Sequence, residues 1–172
     1  RDERTGGTRT VTAGAVVNAS GVWAGDLAPD LTLRPSRGTH LVLRAESLPG
    51  LPVSVFAPVP GARNRFVLVL PQPDGTIYVG LTDEPVVGPV PDVPEPTEPE
   101  IGFLLDVVSA VFSCDLRRSD VVGAYAGLRP LLDVSSADGP GATADLSRRH
   151  AIVTDEGLTV VFYGDATTAE EL

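Results

Sequence analysis

Arg129 and His40 are the two side chains in this sequence best suited to act on a small charged molecule. Arg129 stands between Leu128 and Pro130 at the end of an apolar run, where burying a guanidinium is costly unless it meets an anion. Its planar fork suits a phosphate or a carboxylate. The competing reading is a core ion pair with one of the 23 acidic residues. His40 can donate or accept a proton near neutral pH, or it is a satisfied structural histidine on a strand. A third candidate is backbone. Val16-Val17-Asn18-Ala19-Ser20-Gly21-Val22-Trp23-Ala24 reads as a buried strand running into a glycine turn and a short helical segment. Small residues there let the main chain approach something flat or phosphorylated, although an ordinary strand-to-helix turn explains the same residues.

Other chemistry is missing from the pattern. No metal-ligand spacing, P-loop, Ser/His/Asp order or zinc motif occurs. Gly6-Gly7 reads as a hairpin-like turn rather than a nucleotide-binding fingerprint. His150 matches no motif and reads as a surface residue beside Arg148-Arg149. The single Cys114 excludes an intrachain disulfide and follows the apolar face of a helix, as a small filler does. Trp23 reads as a core residue whose indole N–H needs a partner if buried.

The elements that must position these residues are mostly strands. Thr8 to Thr12 and Ala15 to Asn18 flank Ala13-Gly14, a hairpin or a strand entering a parallel position. Gly21 to Leu27 is a short helix stopped before Pro29. Leu31 to Pro35 and Thr39 to Leu43 are strands around a Ser36-Arg37-Gly38 bend, with Leu41 and Leu43 on one face and His40, Val42 and Arg44 on the other. Ser54 to Val59, Arg65 to Leu70 and Thr76 to Leu81 form a meander, and Asp74-Gly75 supplies a positive-φ turn position. From Pro85 to Pro99 six prolines interleave with valines and acids, an extended polyproline-like connector. Thr97 and Glu100 then make a capping box. Ile101, Leu104, Leu105, Val108, Val111 and Phe112 follow as one apolar stripe on a helix from Glu98 to Phe112. Asp120 to Leu131 is a long strand with weakening glycines at 123 and 127. Asp133 to Asp145 is a polar surface loop, and Ala151 to Thr154 with Leu158 to Phe162 is a final hairpin. The fold class is α+β: a mixed, largely antiparallel sheet with one long amphipathic helix packed on it.

Composition narrows the partners. The formal net charge is −10 and all 13 basic residues are arginines, scattered singly or in pairs such as Arg117-Arg118, so no basic stripe marks a nucleic-acid partner. Local convergence of a few arginines can still bind an anion on an acidic protein. No apolar run approaches the ~20 residues of a membrane span, and no signal-peptide pattern is present. The single thiol is compatible with a reducing compartment. A length of 172 residues suffices for a real core. The absence of Met and the Arg1-Asp2-Glu3-Arg4 start point to a piece of a longer chain.

Four segments resemble, in order, landmarks of the FAD-dependent glycerol-3-phosphate dehydrogenases, within the D-amino-acid-oxidase-like flavoproteins. Val17-Asn18-Ala19-Ser20-Gly21-Val22-Trp23 resembles a Val-Asn-Ala-Thr-Gly-x-Trp segment, with Ser20 where threonine is usual. Arg37-Gly38-Thr39-His40 resembles a basic-Gly-Ser/Thr-His motif. Leu70-Pro71 through Gly80-Leu81-Thr82-Asp83 resembles a Pro…Gly-x-Thr-Asp hairpin, and Ala126-Gly127-Leu128-Arg129-Pro130-Leu131 a Gly-hydrophobic-Arg-Pro-Leu strand. The likeness runs over about residues 8 to 164, the middle and later part of such an enzyme.

The resemblance implies the substrate domain of a two-domain flavoprotein, with 1–32 a remnant of the FAD-binding domain, 33–131 the substrate-binding domain and 132–172 a return segment. It implies FAD held in part by Asn18, Ala19, Ser20, Gly21, Trp23, Gly164 and Thr167, and a phosphorylated substrate gripped by Arg129 beside His40. The implied reaction takes sn-glycerol 3-phosphate to dihydroxyacetone phosphate, with electrons passed to a quinone by a cytoplasmic enzyme peripheral on the inner membrane face. The amino-terminal βαβ unit that holds the FAD pyrophosphate is missing, so the isolated chain is expected to bind FAD weakly and to be inactive. Asp165 stands where the family has a substrate-binding lysine, a reversal that would repel a phosphate. The alternatives are a non-catalytic α+β binding module, or another amine or amino-acid oxidase of the same flavoprotein group.

Overall fold

The computed structural model describes residues 1–2, 4–133, 151–155 and 158–162. The main sheet is antiparallel and grows from the meander outward. β3 (Val55–Pro58), β4 (Phe66–Pro71) and β5 (Thr76–Gly80) are consecutive neighbours, and β5 pairs with β2 (Ser36–Arg44). The other edge of β2 carries β7 (Val121–Arg129) along nearly its whole length, from Ser36 opposite Arg129 to Leu43 opposite Val121. The two-residue β6 (Glu84–Pro85) pairs with the start of β2. A second, three-stranded sheet has β1 (Val16–Asn18) parallel to β9 (Leu158–Phe162), which pairs antiparallel with β8 (Ala151–Asp155).

The helix α1 (Glu98–Phe112) has the bounds its sequence predicts, because its start signal is local and complete. Thr97 accepts from the Glu100 N–H, and the Glu100 carboxylate accepts from the Thr97 N–H. It ends at Ser113, in the left-handed region at φ 52°. Ile101, Leu104, Leu105 and Val108 are buried against Leu41 and Leu43 of β2, Val67 and Val69 of β4, and Ile77 and Val79 of β5. Val107 joins this core, whereas Val111, in the last turn before the chain leaves the helix, is exposed. Cys114 is half-buried against the same cluster. The smaller cluster, Ala24 and Val160 with Leu31, Leu33, Leu132 and Leu158 around them, belongs to the second sheet.

Several expectations are corrected. Thr8 to Thr12 forms no strand, and Leu31 to Pro35 contributes only the bridge between Leu33 and Leu132. Ser36-Arg37-Gly38 is not a bend but the first third of a continuous nine-residue β2. The short helix is a 3-10 turn, Gly21–Asp26, whose only buried residue is Ala24. In such a tight turn one position in three points inward, and here Ala24 takes it, so Trp23 is 41% exposed instead of in the core. Val16 and Val17 are likewise exposed. β1 pairs with β9 alone among the described strands, and only Asn18 of its three residues is buried. The meander, the Gly75 turn (φ 83°), β7 and the β8–β9 hairpin stand as read.

Candidate functional site

Alternation along β2 divides the main sheet into two faces. Arg37, Thr39, Leu41 and Leu43 turn toward α1, and Ser36, Gly38, His40 and Val42 toward the opposite face. On that opposite face two glycines leave room for the two candidate side chains. A Cβ on Gly38 would come within 2.9 Å of the Arg129 Cζ, and one on Gly80 within 2.8 Å of the His40 Cγ. The guanidinium therefore lies flat over Gly38 of β2, and the imidazole over Gly80 of β5. Gly38 and His40 are two residues apart on one strand, which spaces the groups by about 6–7 Å along it.

Arg129 is held at both ends of its fork. Nη1 donates to the Ser36 hydroxyl at 3.3 Å and Nη2 to the Thr82 carbonyl at 3.3 Å. The Ser36 hydroxyl in turn donates to the Asp83 carboxylate. His40 stacks on Tyr125 of β7, with centroids 5.0 Å apart and planes 6° apart, and Tyr78 meets Tyr125 edge-on at 6.3 Å. Burial, and then the positive charge of Arg129, lower the His40 pKa below its ordinary 6.5. The imidazole is thus neutral at pH 7 and able to accept a proton. Gly127, opposite Gly38, faces open space. A groove of about 820 Å³ lined by Phe56, Phe66, Leu68, Phe103, Thr82 and Asp83, among others, reaches the residues that anchor Arg129, but neither Arg129 nor His40 lines it.

The face toward α1 holds a residue whose reach the sequence did not disclose. Glu100 is 4% exposed and accepts hydrogen bonds from Arg37, Thr39, Thr82 and Thr97. Burial pushes its carboxyl up, but the donors outweigh burial and bring it from 4.5 to about 2. The capping box signalled Glu100, and accounted for it with Thr97 alone.

The Asn18 to Trp23 segment forms a turn held by Asn18 itself. The buried Asn18 amide donates to the Ala24 carbonyl at 2.9 Å, and its Oδ1 accepts from the Ser20 N–H and hydroxyl at 3.2 and 2.6 Å. Asn18 therefore shapes the loop. Ala19 and Ser20 are exposed, Gly21 has φ 64°, and the first N–H groups of the 3-10 turn lack intrahelical acceptors. This turn packs against β7, the strand that carries Arg129 and Tyr125. A bare, small-residue turn beside an open sheet face fits a large flat cofactor such as FAD. Gly164, Asp165, Thr167 and His150 lie outside the described residues, as does most of the expected 133–145 loop. Among the described residues no group of three or more His, Cys, Asp and Glu could hold a metal ion, and no helix is long and apolar enough to cross a membrane.

The model of the FAD dependent oxidoreductases matches residues 1–168, and the chain belongs to that family. It is 52% identical over 167 residues to glycerol-3-phosphate dehydrogenase 1 of Mycobacterium tuberculosis (strain ATCC 25618 / H37Rv), a match covering 97% of this chain and 32% of the relative. The chain thus spans about a third of the length of that relative. Among solved structures, the glycerol-3-phosphate dehydrogenase from Bacillus halodurans complexed with FAD superposes with a TM-score of 0.76 at 27% identity, over 96% of this chain and 31% of that one. Glycine oxidase from Geobacillus kaustophilus shares the fold, with a TM-score of 0.60 at 24% identity over 88% of this chain and 36% of that one.

Proposed function

We propose that this chain is the substrate-binding part of an FAD-dependent enzyme that oxidises sn-glycerol 3-phosphate to dihydroxyacetone phosphate. The observation that carries the reading is the pair of side chains laid over Gly38 and Gly80 on one open sheet face: a guanidinium fork for an anion, and a neutral imidazole about 6–7 Å along the strand. Arg129 binds the substrate phosphate. His40 takes the proton of the C2 hydroxyl as the C2 hydride leaves, so the alcohol loses two electrons and two hydrogens and becomes the ketone. FAD, when bound, supplies the two-electron acceptor, and Ala19, Ser20 and Gly21 would hold it, with Trp23, Gly164 and Thr167 as further contacts. Tyr125 keeps the imidazole plane fixed by stacking.

In this reading 1–32 is a remnant of the FAD-binding domain, 33–131 is the substrate-binding part and 132–172 is a return segment toward the FAD-binding domain. The pairing of β1 with β9 supports that division. The electrons pass to a quinone, with the whole protein peripheral on the cytoplasmic membrane face, a step supported by the family resemblance. Asp165 in place of the family lysine leaves Arg129 as the principal anion contact.

The test is Arg129→Ala and Arg129→Lys in the full-length protein, with kinetics and thermal midpoint measured on the same preparations. The KM for glycerol 3-phosphate should rise at least tenfold in both, since a lysine point charge cannot reproduce two parallel N–H···O contacts. A large fall in melting temperature with unchanged kinetics would assign Arg129 to a structural ion pair instead.

A further inference from the structure

We propose that Glu100 is a positioning residue for Arg129, acting from the far face of the sheet through Thr82. The inference rests on the anion-binding reading of Arg129 given above.

A capping glutamate needs one contact, its carboxylate accepting from the N-cap N–H. Glu100 makes that contact at 3.0 Å, and Oε2 also accepts from the Thr97 hydroxyl at 2.7 Å and from Arg37 Nη2 at 2.9 Å. The other oxygen is turned away from the helix. Oε1 accepts from the Thr39 hydroxyl at 3.0 Å and from the Thr82 hydroxyl at 2.8 Å. Neither bond contributes to the cap. A buried carboxylate with this many donors is a rigid, charge-assisted hub, and what it holds is the start of β2 and the segment after β5.

Thr82 is the link between the two faces. It is 3% exposed, its hydroxyl donates to Glu100 and accepts from the Thr39 N–H at 2.9 Å, and those two bonds fix the residue's orientation. Its carbonyl is the acceptor for Arg129 Nη2. The following residue, Asp83, holds the Ser36 hydroxyl that receives Arg129 Nη1. These two anchors of the guanidinium therefore depend on the two-residue segment Thr82-Asp83, and Glu100 is the charged group that holds its first residue. Without that bond the carbonyl is free to swing, and Arg129 loses its aim while keeping its charge.

The experiment uses the full-length protein and sn-glycerol 3-phosphate. Thr82→Val removes the hydroxyl with little change of shape and leaves Glu100 its contacts with Thr97 and Arg37. KM should rise about tenfold, the effect of loosening one bond of a charged group, with kcat little changed. Glu100→Gln should give the same split between KM and kcat. Val108→Ala, a core truncation about two turns along the same helix from Glu100, should lower the melting temperature and leave KM alone. In an Arg129→Ala background, Thr82→Val should add no further rise, because its effect passes through Arg129. An unchanged KM in Thr82→Val, or an effect fully additive with Arg129→Ala, overturns the proposal. If Arg129→Ala itself leaves KM unchanged, the anion-binding reading falls and this one with it. If Arg129→Ala raises KM and Thr82→Val does not, the positioning role alone falls.

Discussion

Two glycines decide where the two reactive side chains lie, and each can be tested by the addition of one methyl group. In Gly38→Ala the new Cβ would overlap the Arg129 guanidinium. The guanidinium is the far end of a flexible side chain, so it moves aside at small cost. The thermal midpoint should change by no more than about 4 °C, about 1 kcal/mol at this size, while the KM of the full-length enzyme rises as in Arg129→Ala. Gly80→Ala meets the His40 ring and should lower kcat rather than raise KM, because it displaces the proposed proton acceptor. An unfolded Gly38→Ala, or one with wild-type kinetics, contradicts this placement. His40 also predicts a pH profile. Its pKa is lowered below 6.5 by burial and by Arg129, and in the proposed mechanism the neutral ring is the active form. The acid limb of kcat/KM should therefore have its midpoint below 6.5 and disappear in His40→Ala.

At the scale of the element, α1 is held by its cap and its stripe. Leu104, fully buried between helix and sheet, should cost about 2–5 kcal/mol when cut to alanine. Thr97→Ala should cost up to about 2 kcal/mol, since the hydroxyl bonds both the Glu100 N–H and its carboxylate. Glu100 adds an acid limb to stability. Its folded pKa is depressed from 4.5 to about 2, so the stabilisation is fully present above pH 4.5 and is lost as pH falls through about 2, of order 3 kcal/mol in all. Glu100→Gln should flatten that limb in urea titrations across this range, and an unaltered slope would contradict it. The same helix marks what a sequence makes legible. Its cap, stripe and bounds are set by residues within four positions of one another, and all could be read. The unbroken course of β2 could not. Gly38 carries the local signature of a bend, and only the guanidinium arriving from β7 explains a glycine inside a strand. Glu100 was legible as a cap for the same reason that its links to Arg37, Thr39 and Thr82, 63, 61 and 18 residues away, were not.

On the scale of the whole molecule, two sheets with unequal cores share one chain. The cluster under α1 contains thirteen buried residues, and the cluster beside β1 and β9 contains two among those described. Hydrogen exchange should therefore be slowest in β2, β5 and α1 and faster in β1, β8 and β9; the reverse ranking would contradict the proposed division into a substrate-binding part and a remnant of the FAD-binding domain. The open sheet face that joins Arg129, His40 and the Asn18 to Trp23 turn is the basis of the proposed reaction. Its most direct test is anaerobic mixing of the full-length protein with sn-glycerol 3-phosphate, with the flavin absorbance followed in time. The account predicts rapid bleaching of the oxidised flavin by glycerol 3-phosphate, none by glycine or unphosphorylated glycerol at the same concentration, and a loss of the glycerol 3-phosphate response in Arg129→Ala. Bleaching by glycine and not by glycerol 3-phosphate, or an undiminished response in Arg129→Ala, would contradict it.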